Sequence, residues 1–490
     1  MYGKKYPLGK CTAFSIFLLL LTAPAITTAR TIYVDDDNPA DFNNIQAAIN
    51  NTNNGDTIIV ADGTYYENIN FKGKNIVLRS TNPNDPNIVA TTIIDGFQSG
   101  SVVTFENCED ANCVLNGFTI TNGNASNGGG IYCRGGSPTI TNCNFNRNWA
   151  VNGAGIYNQE SNPTITNCSF NENEARCGNW GFGGGVYNYQ SNPIIERCIM
   201  TNNYAEWGGG IACNENSSPT IKNCMISGNL TYQDGGGIYC GSSSNPVITN
   251  SKIVSNESEE AGGAGIACFG GSAPVITNCT VAGNGTGGPG GGIYCGDNSN
   301  PMINNCLFVG NCYGAVWCSN SSPSLENCTI AYNSAGICNG GSPTVRNCIV
   351  WGSVTLYGEP KPWIIFSDVQ GGWPDQGNID ADPCFANAAN GDYHLKSQAG
   401  RWDANEGRWT KDDMTSLCID AGDPNSPIGL EPFPNGGIIN MGAYGGTREA
   451  SKSYFGEPVC ETIVAGDING DCRVDFKDFA LLAFHWLEEH

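Results

Sequence analysis

Nine prolines restrict this chain more than any other feature. Pro138, Pro163, Pro193, Pro219, Pro246, Pro274, Pro301, Pro323 and Pro343 recur about 26 residues apart. Five positions after each stands a cysteine (Cys143, Cys168, Cys198, Cys224, Cys279, Cys306, Cys328 and Cys348), with Ser251 as the one exception. Five further on, in all but the last unit, comes an asparagine: Asn148, Asn173, Asn203, Asn229, Asn256, Asn284, Asn311 and Asn333. Each unit holds three short alternating segments separated by Gly, Pro and Asn, and none is long enough for a helix. Such a unit cannot bury its apolar face alone, so units must stack. The spacing predicts an all-β fold, a right-handed parallel β-helix (solenoid), with three strands per coil and ~4.8 Å per rung.

Stacking turns equivalent residues into columns. Asn suits these positions because it tolerates left-handed backbone and its amide can bond the Asn of the next coil. The post-proline cysteines, and a second column of Cys133, Cys213, Cys240, Cys268, Cys295 and Cys318, share the parity of the isoleucines and should point inward. We read them as buried thiols acting as small hydrophobes, since parallel Cβ vectors fit a disulfide dihedral badly. A disulfide ladder is the alternative. Outside the columns, Cys384 with Cys418 and Cys460 with Cys472 are plausible bridges in an exported protein.

Export is expected from residues 1–29, which read as a signal peptide: Lys4, Lys5 and Lys10, an apolar run, and a small-residue site at Thr27-Thr28-Ala29. No later segment is apolar enough to cross a bilayer. The remainder divides into a cap and first coils (30–110), regular repeats (111–350), irregular last coils (351–455) and a tail (456–490). A net charge of -23, with 46 acidic against 23 basic side chains, argues against a nucleic-acid or anionic-membrane partner. The expected location is extracellular or the cell surface.

Alternation also places a row of aromatic residues. If Ile131 and Cys133 face in, Tyr132 faces out, and the same outward position carries Tyr157, Tyr187, Ala212, Tyr239, Ala267, Tyr294 and Trp317. The variable turn before this strand supplies Trp149, Trp180, Phe182, Tyr204, Trp207 and Tyr232. Exposed flat rings pack well on sugar C–H faces, so a polysaccharide or cell-surface glycan is the expected partner. Tyr132, Tyr157, Tyr187, Tyr239, Tyr294, Trp317, Trp149, Trp180 and Trp207 are the candidate contacts. The alternative is that the stacked rings only stabilise the strands. Alanines 212 and 267 interrupt the row.

The tail carries a metal motif. Asp467, Asn469, Asp471, Asp475 and Asp478 occupy positions 1, 3, 5, 9 and 12 of an EF-hand-type loop, with the Arg473 carbonyl at position 7. These six are candidate Ca2+ ligands. The acidic residue at position 12 is Asp, and the helix that follows, Phe479 to Leu487, resembles a dockerin repeat. That resemblance implies a small α-helical C-terminal module and a cohesin-like or surface partner. Cys472 stands at the turn position where glycine is usual, and one repeat is present.

The repeats themselves resemble two families. Gly-Gly-Gly-Ile paired with Phe145-Asn-Arg-Asn148 and Phe170-Asn-Glu-Asn173 is similar to repeats of chlamydial polymorphic outer-membrane proteins. The wider pattern resembles the pectin-lyase-like β-helix superfamily across roughly 31–450. Its first part, Ile45-Gln-Ala-Ala-Ile49 and Gly55-Asp-Thr-Ile-Ile-Val60, implies a short helix (about 42–50) capping the open end. The resemblance implies cleavage or binding of polysaccharide. Polygalacturonase-type hydrolysis needs clustered aspartates and a histidine, yet His394, His485 and His490 all lie beyond the regular coils. Lyase chemistry needs a base and a charge-neutralising cation, yet 31–350 holds ten basic residues with no obvious pairing. The groups Glu172, Glu174, Arg176 and Glu257, Glu259, Glu260 are the nameable candidates, and solvated loop charge is the plainer reading of each. Three functions stand open: a secreted carbohydrate-engaging β-helix of the polysaccharide-degradation type, a surface adhesin or structural protein, and a pectate-type lyase whose site is not apparent.

Overall fold

The structure, a computed structural model, describes residues 28–176, 178, 180–352, 361–455, 466, 468 and 474–486. Strands from successive coils pair in parallel to form long sheets of 14, 13 and 11 strands. One coil runs through Thr139–Thr141 in the first sheet, Asn144–Asn146 in the second, Trp149–Asn152, and Ile156–Gln159 in the third. The third of these segments belongs to a fourth sheet of seven strands. Three strands per coil was therefore an undercount over part of the length. The variable turn itself pairs with its neighbours, for example Trp149 with Glu174 and Glu174 with Tyr204.

Register is kept because each coil buries the same positions. Ile131, Ile156, Val186 and Ile211 stand in line, and all are fully buried. Inside, the Phe145 and Phe170 rings stack at 4.7 Å. The asparagine column forms a continuous ladder. Asn148 Nδ2 donates to Asn173 Oδ1 at 3.0 Å, Asn173 to Asn203 at 2.9 Å and Asn203 to Asn229 at 2.9 Å, and the series continues to Asn333. These asparagines are not the left-handed residues. Positive φ falls one position earlier, at Arg147, Glu172, Asn202 and Ser255 among others, and again just before the cysteines, at Asn142, Asn167 and Asn223. Each corner thus takes a left-handed residue that turns the chain, and the next side chain points inward.

A second ladder was not foreseen. Ser161, Ser191, Ser217, Ser244, Ser272 and Ser299 each donate the backbone amide to the hydroxyl of the next coil's serine, at 3.0–3.1 Å. The post-proline cysteines occupy an equivalent corner. Cys224 N donates to Ser251 Oγ at 3.1 Å and Cys328 N to Cys348 Sγ at 3.3 Å. The cysteines whose side chains are described are free thiols, and burial pushes those of Cys133 and Cys213 up to about 12. The proposed Cys384–Cys418 bridge is absent. Cys418 Sγ lies 3.1 Å from Asp368 Oδ2, and Cys384 Sγ faces the Asp382 carbonyl at 3.3 Å. Cys460 and Cys472 lie outside the described residues.

Both ends of the stack are covered. Helix α1 (Ile45–Asn51) buries Ile45, Ala48 and Ile49 over the first coil, and its first amides bond the Glu67 carboxylate at 2.6 and 2.8 Å. At the other end, the chain after the last strands turns across the coil, with Trp373 packed against the core and Val369 N donating to the Ile379 carbonyl. Two short antiparallel hairpins and a long irregular segment follow, the latter folded back along the second sheet. Asn305 Nδ2 donates to the carbonyls of Ala443 and Gly445, and Asn327 Nδ2 to that of Asn440. His394 is buried here, stacked on Tyr444 with its Nδ1 2.7 Å from Asp392 Oδ1.

Candidate functional site

The tyrosine row forms in register. Tyr132 pairs with Tyr157, Tyr157 with Tyr187, Tyr187 with Ala212, Ala212 with Tyr239, Ala267 with Tyr294 and Tyr294 with Trp317. Its exposure differs from expectation. Tyr157 and Tyr187 are only 6% and 4% exposed, because the rings stack on one another at 5.9 and 5.3 Å and Phe182 lies over Tyr187 at 5.2 Å. These two rings are internal to the wall and present no flat face to solvent. Tyr132, Tyr239, Tyr294 and Trp317 are half-buried.

The alanine gaps are filled. Phe182 bridges the Ala212 position, reaching Tyr187 on one side and Tyr239 at 6.0 Å on the other. Phe269 does the same at Ala267, 6.1 Å from Tyr239 and 5.2 Å from Tyr294. The wall therefore runs unbroken from Tyr132 to Tyr294. At its corner with the fourth sheet, Trp207 stacks on Phe182 at 5.0 Å and Trp180 leans on Trp207 at 5.6 Å. Trp180 is 69% exposed, which makes this corner the accessible part of the wall. Trp149 sits apart from the tyrosines, half-buried on the fourth sheet.

Parallel pairing of the fourth sheet gathers what the sequence separated. Ala150, Ala175 and Ala205 point inward, so the residues on either side of them point out. One outward column holds Trp149, Glu174, Tyr204, Leu230 and Glu257. Beside it stand Arg176, Glu206, Tyr232 and Glu259, two positions on in each strand. The Arg176 guanidinium lies over the Tyr204 ring at 4.3 Å and is 3.3 Å from Glu174. Among the described residues of this face it is the one cation. Glu172 is drawn off to Arg147, at 2.7 Å.

Two carboxyls here escaped sequence reasoning. Glu206 is 3% exposed, and burial, reinforced by nearby Glu259 and opposed by Arg176, holds its pKa above the usual carboxylate value. The backbone here is tied to the preceding coil, whose Gly181 carbonyl accepts the amides of both Glu206 and Trp207 at 3.0 and 2.9 Å. Asp234 follows Trp207 on the next coil, where Gly208 N donates to the Asp234 carbonyl. Burial pushes its carboxyl up to about 6, and Oδ1 accepts from Gly262 N at 2.9 Å. The corner of exposed Trp180 and half-buried Trp207 thus adjoins, through the backbone pairing of these coils, the segments that carry Arg176, Glu206 and Asp234.

A family profile described as a right handed beta helix region matches residues 89–258 and 209–359, together more than half of the chain. The chain belongs to the right-handed β-helix family. A second profile, described as disaggregatase related, matches residues 368–422 of this β-helix protein, within the C-terminal cover. No curated protein matches it. Among solved structures, pectate lyase Pel9A aligns at 14% identity with a TM-score of 0.40, over 86% of this chain and 97% of the lyase. The PL6 family alginate lyase AlyGC aligns at 12% identity and 0.37, over 76% of this chain and 56% of the lyase. An endo-xylogalacturonan hydrolase from Aspergillus tubingensis aligns at 15% identity and 0.28, over 68% of this chain and 95% of the hydrolase. Likenesses this distant transfer neither activity nor residue roles to this β-helix.

In the tail, the helix forms over Phe476–Trp486. Asp478 accepts from Ile468 N through Oδ1 and from Asp475 N through Oδ2, both at 2.7 Å, and Asp475 Oδ1 accepts from Lys477 N. Asp467, Asn469, Asp471 and Arg473 lie outside the described residues, as does most of the signal segment. No described helix is long and apolar enough to cross a membrane.

Proposed function

We propose that this is a secreted β-helix protein that engages polysaccharide on its fourth-sheet face and the adjoining corner, and that its dockerin-like tail holds it in an assembly through calcium. The observation that carries the first part is the corner where exposed Trp180 leans on half-buried Trp207, which follows Glu206 in the chain. The exposed indole supplies area for a sugar ring, and polar groups of the adjoining face can fix orientation. What supports the tail is the spacing of Asp467, Asn469, Asp471, Asp475 and Asp478, with Asp478 anchoring the loop to the start of its helix. A glycan array tests the first part: Trp180→Ala and Trp207→Ala should lose signal while Tyr157→Phe, inside the wall, keeps it. Equal binding by all three variants would reject the face. For the tail, wild-type protein should gain thermal stability with calcium and Asp467→Ala should not; identical responses would remove the metal.

One observation favours a second reading. Tyr157 and Tyr187 are buried within the wall, as expected if the row chiefly rigidifies a structural or adhesive surface protein. In that case the array would show no glycan-dependent signal.

A further inference from the structure

The Glu206 side chain is only 3% exposed and unpaired, with its carboxylate oxygens just reaching the surface. Among the described residues, its oxygens have no hydrogen bond and no ion pair, although the side chain is nine-tenths buried or more. A buried carboxylate in that state carries a large desolvation cost unless a charge or donor reaches it. The face offers it little. Arg176, the nearby cation, is committed to Glu174 and to the Tyr204 ring. Glu259, from the next strand but one, adds a like charge, and Glu260 stands close enough to Tyr232 to hold that phenol above its usual value. Tyr204 and Tyr232 complete the surroundings, and both feel the charge of Glu206. No group of three His, Cys, Asp or Glu side chains among the described residues is placed to hold a metal ion.

We infer that the Glu206 carboxylate is the anionic half of a subsite for a protonated amino group, so that the glycan taken by this face carries amino sugars and not uronic acids. An ammonium brings the charge that Glu206 lacks, and aromatic rings on either side favour it further. A uronate would meet Glu206, Glu257, Glu259 and Glu260 with no uncommitted cation, on a chain of net charge -23. The rung spacing of ~4.8 Å presents one group of the column to each successive ring of an extended saccharide. This inference rests on the glycan-binding function proposed above and specifies its ligand.

Calorimetric titration of the full-length protein at mildly acidic pH separates the two claims. The probes are tetraglucosamine, its fully N-acetylated analogue and tetragalacturonate, with wild type, Glu206→Gln and Trp207→Ala. Tetraglucosamine should bind at least tenfold tighter than the other two, and Glu206→Gln, which keeps the shape of the side chain, should remove that preference but leave the N-acetylated oligomer unaffected. Trp207→Ala should weaken both hexosamine oligomers. Binding without preference for the amine, preference for tetragalacturonate, or an unchanged preference in Glu206→Gln would overturn the amino-sugar subsite while leaving a glycan site in place. Absence of binding by all three oligomers to folded wild type would overturn both claims.

Discussion

At the residue scale, burial governs protonation in several places that local sequence does not mark. Glu431, beneath the C-terminal cover, accepts from the amides of Asn440 and Gly446 through Oε1, both at 2.8 Å, and burial pushes its carboxyl up to about 7. Burial likewise pushes Asp234 and Asp368 up to about 6. Each folded pKa lies above the unfolded value near 4, so the folded state holds the extra proton. The stability these groups confer is complete below about pH 4 and is lost as pH rises through about 6 to 7. Denaturant titrations should show that fall, and Glu431→Gln should remove part of it, roughly 3 kcal/mol of pH-dependent stability. A pH profile identical to wild type would show that Glu431 is ionised throughout. Glu206 teaches the same lesson about legibility. It stands at the outward parity of a short strand, so nothing in Ala205-Glu206-Trp207 signals that its side chain is only 3% exposed. The outward parity of the tyrosines was readable, but the cover over Tyr187 comes from Phe182 and was not.

Columns that repeat in every coil were the legible elements. Proline spacing located the first sheet, and the asparagine and cysteine columns located two inward corners, because stacking demands the same residue at the same height. The serine ladder obeys that logic but hides among abundant Ser and Asn. The fourth sheet was missed because its two- to four-residue strands lack the alternation that marks a strand. The ladders make a sharp prediction. Asn229 links Asn203 to Asn256 and also donates to the Met200 carbonyl. Asn229→Ala leaves several buried groups unpaired, and should cost about 3 kcal/mol or more. Denaturant unfolding should read that loss; an Asn229→Ala variant as stable as wild type would show that the ladder bonds add nothing to stability. On the wall, Phe182→Ala should cost about 2 kcal/mol and expose Tyr187, read as a lower Tm with increased quenching of tyrosine emission by an added solute. An unchanged Tm would place Phe182 outside the packed wall.

At the scale of the whole molecule, stability is close to a sum over coils plus two ends. Deleting residues 220–246 joins equivalent positions, since Thr220 and Val247 are register partners, and should leave a folded solenoid one coil shorter. Loss of the β-type circular dichroism on that deletion would contradict the additive picture. The covers matter more, because α1 and the C-terminal segment close strand edges that would otherwise pair with other chains. Along this rod one face differs from the rest, where exposed Trp180, leaning on half-buried Trp207, stands at the corner of the fourth sheet with its arginine and carboxyls. The most direct test of its role is a crystal structure with a bound oligosaccharide drawn from the array. Sugar rings should lie against Trp180 and Trp207, with polar contacts to the Arg176–Glu206 column. An oligosaccharide ordered on any other face, with this corner bare, would contradict the account.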